Sequence, residues 1–374
     1  MSSKAEDIRK ESLVSRKWNF KKTFLSDYPG GVLVTGANSF LGVHVVKSLL
    51  AHDVGPVHLL LRATTVPEAV ARMRQANLNW GLGEFDPDKV TIHLGDVSRN
   101  MMGLSHMEFR FLAGHTGAVI HLAMTPLYHL PYEHFKRVWV PELERMIAFC
   151  GDTEYPKTLH YSSSFNANFF QTDEDFQVLN NNAWQSGYAG FKWVAGKALE
   201  NAFEQNLRGA IYDIPLVLGT EEKGICPKHY SIWMILDIFL KTRHYFPFSF
   251  RVMPVDRLAE VMVYNIRQER EGRGAAFIRP FLDEPVTDGL FSLTVAGMLG
   301  LQRSDLETVR GLCQNRLRFD FLLPENFYEL MEKVNCLPAV FPEGYDAGRL
   351  PLTAMVFMSN LNRIMSTNKE MIKV

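Results

Sequence analysis

The sequence predicts an α/β protein: a doubly wound parallel sheet with a smaller, mostly helical C-terminal lobe. Three observations carry that expectation. Residues 31–50, GVLVTGANSFLGVHVVKSLL, run from a β-branched apolar stretch through a glycine turn into helical periodicity. Short continuous apolar runs recur at 57–61, 90–94, 118–122 and 157–161, the pattern of strands buried on both faces. Helical patterns separate these runs, and strand–helix alternation builds a parallel sheet.

The elements follow in order. Residues 1–29 read as a basic, mixed helical lead, in which Leu13, Val14, Trp18 and Phe20 either dock on the body or belong to a solvated arm. The first strand ends in a loop where Gly36 and Gly42 let the backbone turn tightly and approach a pyrophosphate. The helix from about Phe40 presents unpaired N–H groups to that anion. Asn38, Ser39, Phe40 and Leu41 complete the cradle, with Ser39 standing at the middle glycine of a G-x-x-G-x-x-G spacing. The loop therefore calls for a dinucleotide. The run 57–61 ends at Arg62, 20 residues beyond Gly42, where an acidic residue would read a ribose hydroxyl and an arginine suits a 2′-phosphate. Arg62 is either a surface arginine capping the strand end or, helped by Arg72 and Arg74 on a helix predicted from Val66 to about Trp80, the reader of that phosphate; the second reading favours NADPH over NADH. After 90–94 come Asp96, facing the adenine or opening a turn, and Val97; after 118–122, Ala123 starts a loop beside the cofactor. A long helical pattern over 132–149 holds Pro141, so a kink near Val140 is expected.

The run 157–161 leads into Ser162, Ser163 and Ser164, and 24 residues past Ser164 stands Tyr188, with Lys192 four further on. Positions four apart share one helical face, so phenol and ammonium point at one pocket. A cation there favours the phenolate and equips Tyr188 as a proton donor and acceptor; Ser164 would bond the same substrate oxygen. Ser164, Tyr188 and Lys192 are the expected catalytic residues, and Tyr188 and Lys192 also border the cofactor.

Composition excludes several classes. With 47% hydrophobic and 22% charged residues and a formal net charge of −1, the chain has no global basic field for nucleic acid. Cys150, Cys226, Cys313 and Cys336 form no C-x-x-C pair, the histidines show no ligand spacing, and no metal is implied. The N-terminus is too charged for a signal peptide and no apolar run approaches the roughly 18 residues of a membrane span, so a cytoplasmic protein without a membrane span is expected; the oligomeric state expected is monomer.

On VTGANSFLG at 34–42, LLLR ending at Arg62, IHLA at 120–123, YSSS, GYAGFKWVAG at 187–196 and MPVDRLAEVM at 253–262, the chain resembles the extended short-chain dehydrogenases/reductases. Within them it is similar to the thioester reductase domains that terminate peptide and polyketide synthetases and carboxylic acid reductases. The resemblance covers residues 30 to about 265. It implies a Rossmann-type NADP-binding domain over 30–221 and a substrate lobe over 222–374, with a strand near 252–256 returning to the core. It also implies NADPH-dependent release of an acyl or peptidyl thioester, carried on a phosphopantetheine carrier protein or on coenzyme A, in secondary metabolite biosynthesis. Departures are Trp139, Val140, Pro141 and Glu142 where the family has N-V-x-G, and Asp213, Ile214 and Pro215 where it has R-P-G. Phe191 and Gly196 replace a serine and a glutamate flanking the catalytic lysine. Aromatic residues from Trp233 to Phe250 read as core or as an acyl channel, and Lys241, Arg243, Arg251 and Arg257 as a patch for an acidic carrier or as solvated surface. The alternatives are a sugar-nucleotide epimerase or dehydratase, a free-carbonyl reductase, and a non-catalytic NADP(H)-sensing protein.

Overall fold

The computed structural model describes residues 8, 10–23, 28–124, 130–151, 154–169, 186–227, 230–282, 285–287, 297–313, 327–347 and 360. Along the chain come β1 (Gly31–Thr35), α1 (Phe40–Ala51), β2 (Val57–Leu61), α2 (Val66–Asn79), β3 (Thr91–Leu94), α3 (His106–His115), β4 (Thr116–His121) and α4 (Tyr132–Cys150). Next are β5 (Thr158–Ser162), a short 3-10 helix (Phe165–Phe169), α5 (Ser186–Glu204), β6 (Arg208–Tyr212), β7 (Leu216–Leu218) and α6 (Ser231–Thr242). Then follow β8 (His244–Tyr245), β9 (Val252–Pro254), α7 (Val255–Arg270), β10 (Phe277–Ile278), β11 (Gln302–Arg303), α8 (Leu306–Leu312) and α9 (Phe327–Asn335).

The chain forms two compact units. The first comprises Met1–Asp213, Leu258–Arg279 and Val340–Tyr345; the second, Ile214–Arg257, Pro280–Ala339 and Asp346–Val374. The first unit holds a seven-stranded sheet of order β10-β6-β5-β4-β1-β2-β3, parallel throughout. Every residue of β1, β2 and β4 is buried, which is why these strands read as unbroken apolar runs rather than alternating ones. Burying each Val or Leu contributes about 1.5–3 kcal/mol, and this central sheet is the main apolar core of the unit. Strand order reverses between β1 and β4, and in a doubly wound sheet the crevice at the carboxyl ends of such a pair is where ligands bind.

Two local expectations change. α4 is continuous through Pro141, since a proline inside a helix removes one backbone bond without ending it where one face is packed. Ile8 is helical, whereas described residues 10–23 form turns and then irregular chain. They are held by side chains of α5 and the turn after it: Trp18 N donates to Gln205 Oε1 at 2.6 Å, Asn201 Nδ2 to Arg16 O at 2.8 Å, and Asn206 Nδ2 to Phe20 O at 3.1 Å. Side-chain acceptors and donors there take the bonds that a helix would make internally, and Leu13 is buried.

In the second unit β7 pairs with β9 and β8 with β11. Phe239, Tyr245, Phe246, Phe248 and Phe250 are all buried, with neighbouring rings 4.8–6.4 Å apart, so they form this unit's core. Trp233's side chain lies outside the description. Most of the expected basic patch is engaged: Lys241 pairs with Asp237 at 2.9 Å, Arg257 grips Glu221 with two bonds of 2.8 Å, and Arg251 donates to the Leu282 and Asn335 carbonyls. Arg243, the fourth of the set, is exposed at a positive φ of 61°.

Candidate active site

The loop after β1 is built for close backbone approach. Gly36 has φ +69°, and a Cβ there would meet the Leu122 carbonyl and Ala123 amide at 2.8 Å. A Cβ on Gly42 would stand 2.2 Å from the Gly36 carbonyl oxygen. Both positions therefore require glycine, one for the turn and one for seating α1 on the loop. Ser39 needs no glycine: at φ −77° it caps α1, its hydroxyl accepting from Gly42 N at 3.0 Å. The first amides of α1, Phe40 and Leu41, lack helical acceptors by geometry, while Asn38 and Ser39 are exposed above them. This cradle fits a pyrophosphate.

At the end of β2, Arg62 is exposed and Arg72 donates to its carbonyl while pairing with Glu68 at 2.6 Å. Asp96 lies half-buried beyond β3, accepting from the Ser98 amide and hydroxyl at 2.9 and 2.7 Å, with Val97 half-buried beside it. Against partial burial, which pushes it up, Ser98 together with Arg62 and Arg99 holds the Asp96 carboxyl below its ordinary value. A carboxylate bonded this way opens a turn, and Arg62 is close enough to be felt.

Lys192 is the best-fixed group of the site. α5 packs on α4 and on the 3-10 helix, which buries Lys192 to 2% exposure. Its ammonium donates to Ser162 O at 2.6 Å and to Tyr161 Oη at 3.2 Å, 4.6 Å from the centre of the Tyr161 ring and 5.8 Å from that of Tyr188. Burial pushes Lys192 down to about 7, with the charge of Glu142 opposing. Tyr188, one helical turn earlier, is buried, its ring centroid 6.3 Å from that of Phe135 and the two planes steeply inclined. Ser164 stands two residues past the carbonyl that Lys192 holds, and its hydroxyl accepts from Asn166 N at 3.3 Å. The fold thus gathers Ser164, Tyr188 and Lys192 at the carboxyl end of β5, and the glycine loop with Ala123 at the ends of β1 and β4.

Three groups here went unassigned in the sequence. Tyr161 directly precedes the serine run, His121 lies inside IHLA, and Glu142 was visible only as a departure. A second cluster joins Asp213, at the end of β6, to Arg279 and Asn168: Asp213 Oδ2 accepts from Arg279 Nε and Asn168 Nδ2, each at 2.8 Å. Among the described residues no group of three or more His, Cys, Asp or Glu side chains is placed to hold a metal, and no helix is long and apolar enough to cross a membrane.

With this geometry in view, comparison with known proteins is direct. The sequence profile of an NAD-binding family described as male sterility protein matches residues 34–262, which span the glycine loop, the serine strand end, Tyr188, Lys192 and the start of α7. The chain belongs to that family. It is an extended short-chain dehydrogenase/reductase, and membership implies an oxidoreductase with a nicotinamide cofactor. Among curated proteins, this male sterility family member is 29% identical over 279 residues to the nonribosomal peptide synthetase asaC of Aspergillus flavus, covering 70% of the chain and 27% of asaC. It is 24% identical over 255 residues to the nonribosomal peptide synthetase-like enzyme fsqF of Aspergillus fumigatus, covering 64% of the chain and 17% of fsqF. The matched region is thus a small part of those proteins. Among solved structures, the terminal R domain of the myxalamid PKS-NRPS pathway superposes with a TM-score of 0.71 at 17% identity, covering 91% of this chain and 92% of that one. A thiolation-reductase di-domain of an archaeal nonribosomal peptide synthetase gives 0.70 at 13% identity, covering 99% and 81%. At these identities the likeness is one of fold.

Proposed function

We propose that this family member is an NADPH-dependent reductase that releases an acyl or peptidyl chain from a thioester as an aldehyde, which a second reduction takes to the alcohol. The observation that carries the reading is the buried Lys192 ammonium, fixed on the Ser162 carbonyl beside the Tyr188 ring, at the carboxyl end of β5. The glycine loop would hold the pyrophosphate, with Asn38, Ser39, Phe40, Leu41, Val97 and Ala123 around it. Arg62 and Arg72 would face the 2′-phosphate that distinguishes NADPH. Bound there, the nicotinamide supplies hydride.

This chain's own groups do the rest. Hydride addition to the thioester carbon pushes the carbonyl π pair onto oxygen, and the Ser164 and Tyr188 hydroxyls stabilise that oxyanion, Tyr188 passing it a proton. The hemithioacetal then collapses: the C–S bond breaks, and aldehyde and thiol leave. Lys192 keeps one ammonium proton for the cofactor ribose after its bonds to Ser162 O and Tyr161 Oη are made. The relatives' synthetases and the thiolation-reductase likeness support a phosphopantetheine carrier protein as the source of the thioester. The pairing of Lys241, Arg251 and Arg257 within the second unit argues that such a carrier docks by contacts other than these three.

The test is oxidation of NADPH and of NADH with a panel of acyl thioesters, free and carrier-bound, with products identified by mass spectrometry. NADPH should be preferred and aldehyde or alcohol should appear. Tyr188→Phe should retain the fold and NADPH binding while turnover falls by about 10² or more. NADPH binding with no oxidation on any thioester or carbonyl would replace this reading with the cofactor-sensing one.

A further inference from the structure

Glu142 is a buried ionisable group that the mechanism above leaves unused. It sits on α4 at 1% exposure, and neither carboxylate oxygen has a hydrogen-bond partner among the described residues. His121 Nε2 stands 3.2 Å from its Oε1, within ion-pairing distance but not aligned as a hydrogen bond. The sheet register then extends a row across three strands: Thr35 of β1 is the neighbour of His121 of β4, and His121 is the neighbour of Tyr161 of β5. Thr35 Oγ1 lies 2.9 Å from His121 Nδ1, the His121 ring stacks on Tyr161 with centroids 5.9 Å apart, and Tyr161 Oη takes the Lys192 hydrogen bond. The row runs from a carboxylate to an ammonium, both shut away from water.

Neither charge is well placed alone. A buried carboxylate without hydrogen bonds is kept ionised only by a nearby positive charge, and a buried lysine whose acceptors are a carbonyl and a phenol sheds its proton unless an anion is near. We propose that Glu142 is a positioning residue for Lys192: its carboxylate, braced by His121 and Thr35, is the counter-charge that keeps the Lys192 ammonium protonated and held on Ser162 O and Tyr161 Oη. Among the described residues, the titratable groups against Lys192 are Tyr161 from β5 and Tyr188 from its own helix, and His121 of β4, paired with Glu142 of α4, stacks on the Tyr161 ring. Burial pushes Lys192 down and Tyr161 up, and Glu142 favours the protonated form of each. The role of Lys192 toward cofactor rests on the reductase reading; the counter-charge itself does not.

The experiment follows the Lys192 side chain by NMR in the cofactor-free full chain, its signal assigned by loss in Lys192→Arg, across pH. Glu142→Gln should move the Lys192 midpoint down by about one pH unit, and Glu142→Asp, which keeps the charge, should hold it near the parent value. Fluorescence-detected NADPH affinity at pH 7.5 should then fall by up to about tenfold in Glu142→Gln and recover below the new midpoint, since one unit is a tenfold change in charged fraction. An unchanged Lys192 midpoint in Glu142→Gln overturns the proposal. If that variant does not fold, His121→Asn carries the same readout, with a downward shift expected and an unchanged midpoint overturning. A midpoint that moves in a protein that neither binds nor oxidises NADPH upholds the counter-charge and instead removes the reductase reading.

Discussion

Two carboxylates are buried near the carboxyl edge of the same sheet, and their surroundings differ. Asp213 follows the last residue of β6 and is 2% exposed; its Oδ2 accepts from Arg279 and from Asn168, and Arg279 also reaches Asn168 Oδ1 at 3.4 Å. Burial pushes its carboxyl up, while Arg279 and Asn168 pull against it. That cluster ties β6, β10 and the 3-10 helix together. Glu142 reaches the last residue of β4 and finds an imidazole at ion-pair distance with no aligned hydrogen bond. A carboxylate gripped through one oxygen by an arginine and an amide fixes a turn, even though Asp213 Oδ1 has no hydrogen-bond partner among the described residues. One that is buried and left without hydrogen bonds acts through its charge, on whatever cation shares the low-dielectric space.

The contrast also revises one departure from the family pattern. Where the family has R-P-G, this chain has Asp213, Ile214 and Pro215. In three dimensions an arginine is present there: Arg279, 66 residues further along the chain, is delivered to Asp213 by the strand pairing of β10 with β6. The chain just after β6 is thus held by a long-range ion pair.

The comparison can be broken at its strongest point first. Arg279→Met removes one partner of the buried pair and should cost about 3–5 kcal/mol of unfolding free energy in a urea titration; a cost below about 1 kcal/mol would mean that Asp213 is not held by this bond. Asn168→Ala removes one hydrogen bond to the same charge and should cost about 1.5–3 kcal/mol in the same titration, with a near-zero cost placing Asn168 outside the cluster. Glu142→Gln removes a charge but no hydrogen bond, so stability near pH 7 should change by no more than about 1 kcal/mol. A loss as large as that of Arg279→Met would place Glu142 in the structural class and erase the distinction. Because Lys192 titrates in the fold at about 7 rather than 10.5, the unfolded chain binds a proton that the folded one releases, so this lysine adds stability as pH rises across that window. Glu142→Gln should start that gain at lower pH.

Local features were legible in the sequence. The glycine loop, Arg62 at the end of β2, and Tyr188 with Lys192 on one face of α5 are encoded in stretches shorter than 20 residues, where side-chain period and turn chemistry suffice. Helix α2 begins at Val66 as its pattern predicts because Thr65 caps it and Pro67 starts its first turn. The N-terminal segment was ambiguous because the bonds that dock it come from Gln205 and Asn206, more than 180 residues away. The aromatic run of the second unit could be lining or core until its rings were seen to face one another.

The sequence by itself determined the α/β class, the glycine loop, the position of the serine, tyrosine and lysine, and the family, since each is written in neighbouring residues. Only the tertiary structure decided which buried charges meet. Arg279 reaches Asp213, and Glu142 meets His121, through strand register and helix packing, and a one-residue slip in register would turn His121 to the opposite face of the sheet. Local periodicity fixes which way a side chain points along its own element; which strand lies beside it is settled by burial of the whole sheet.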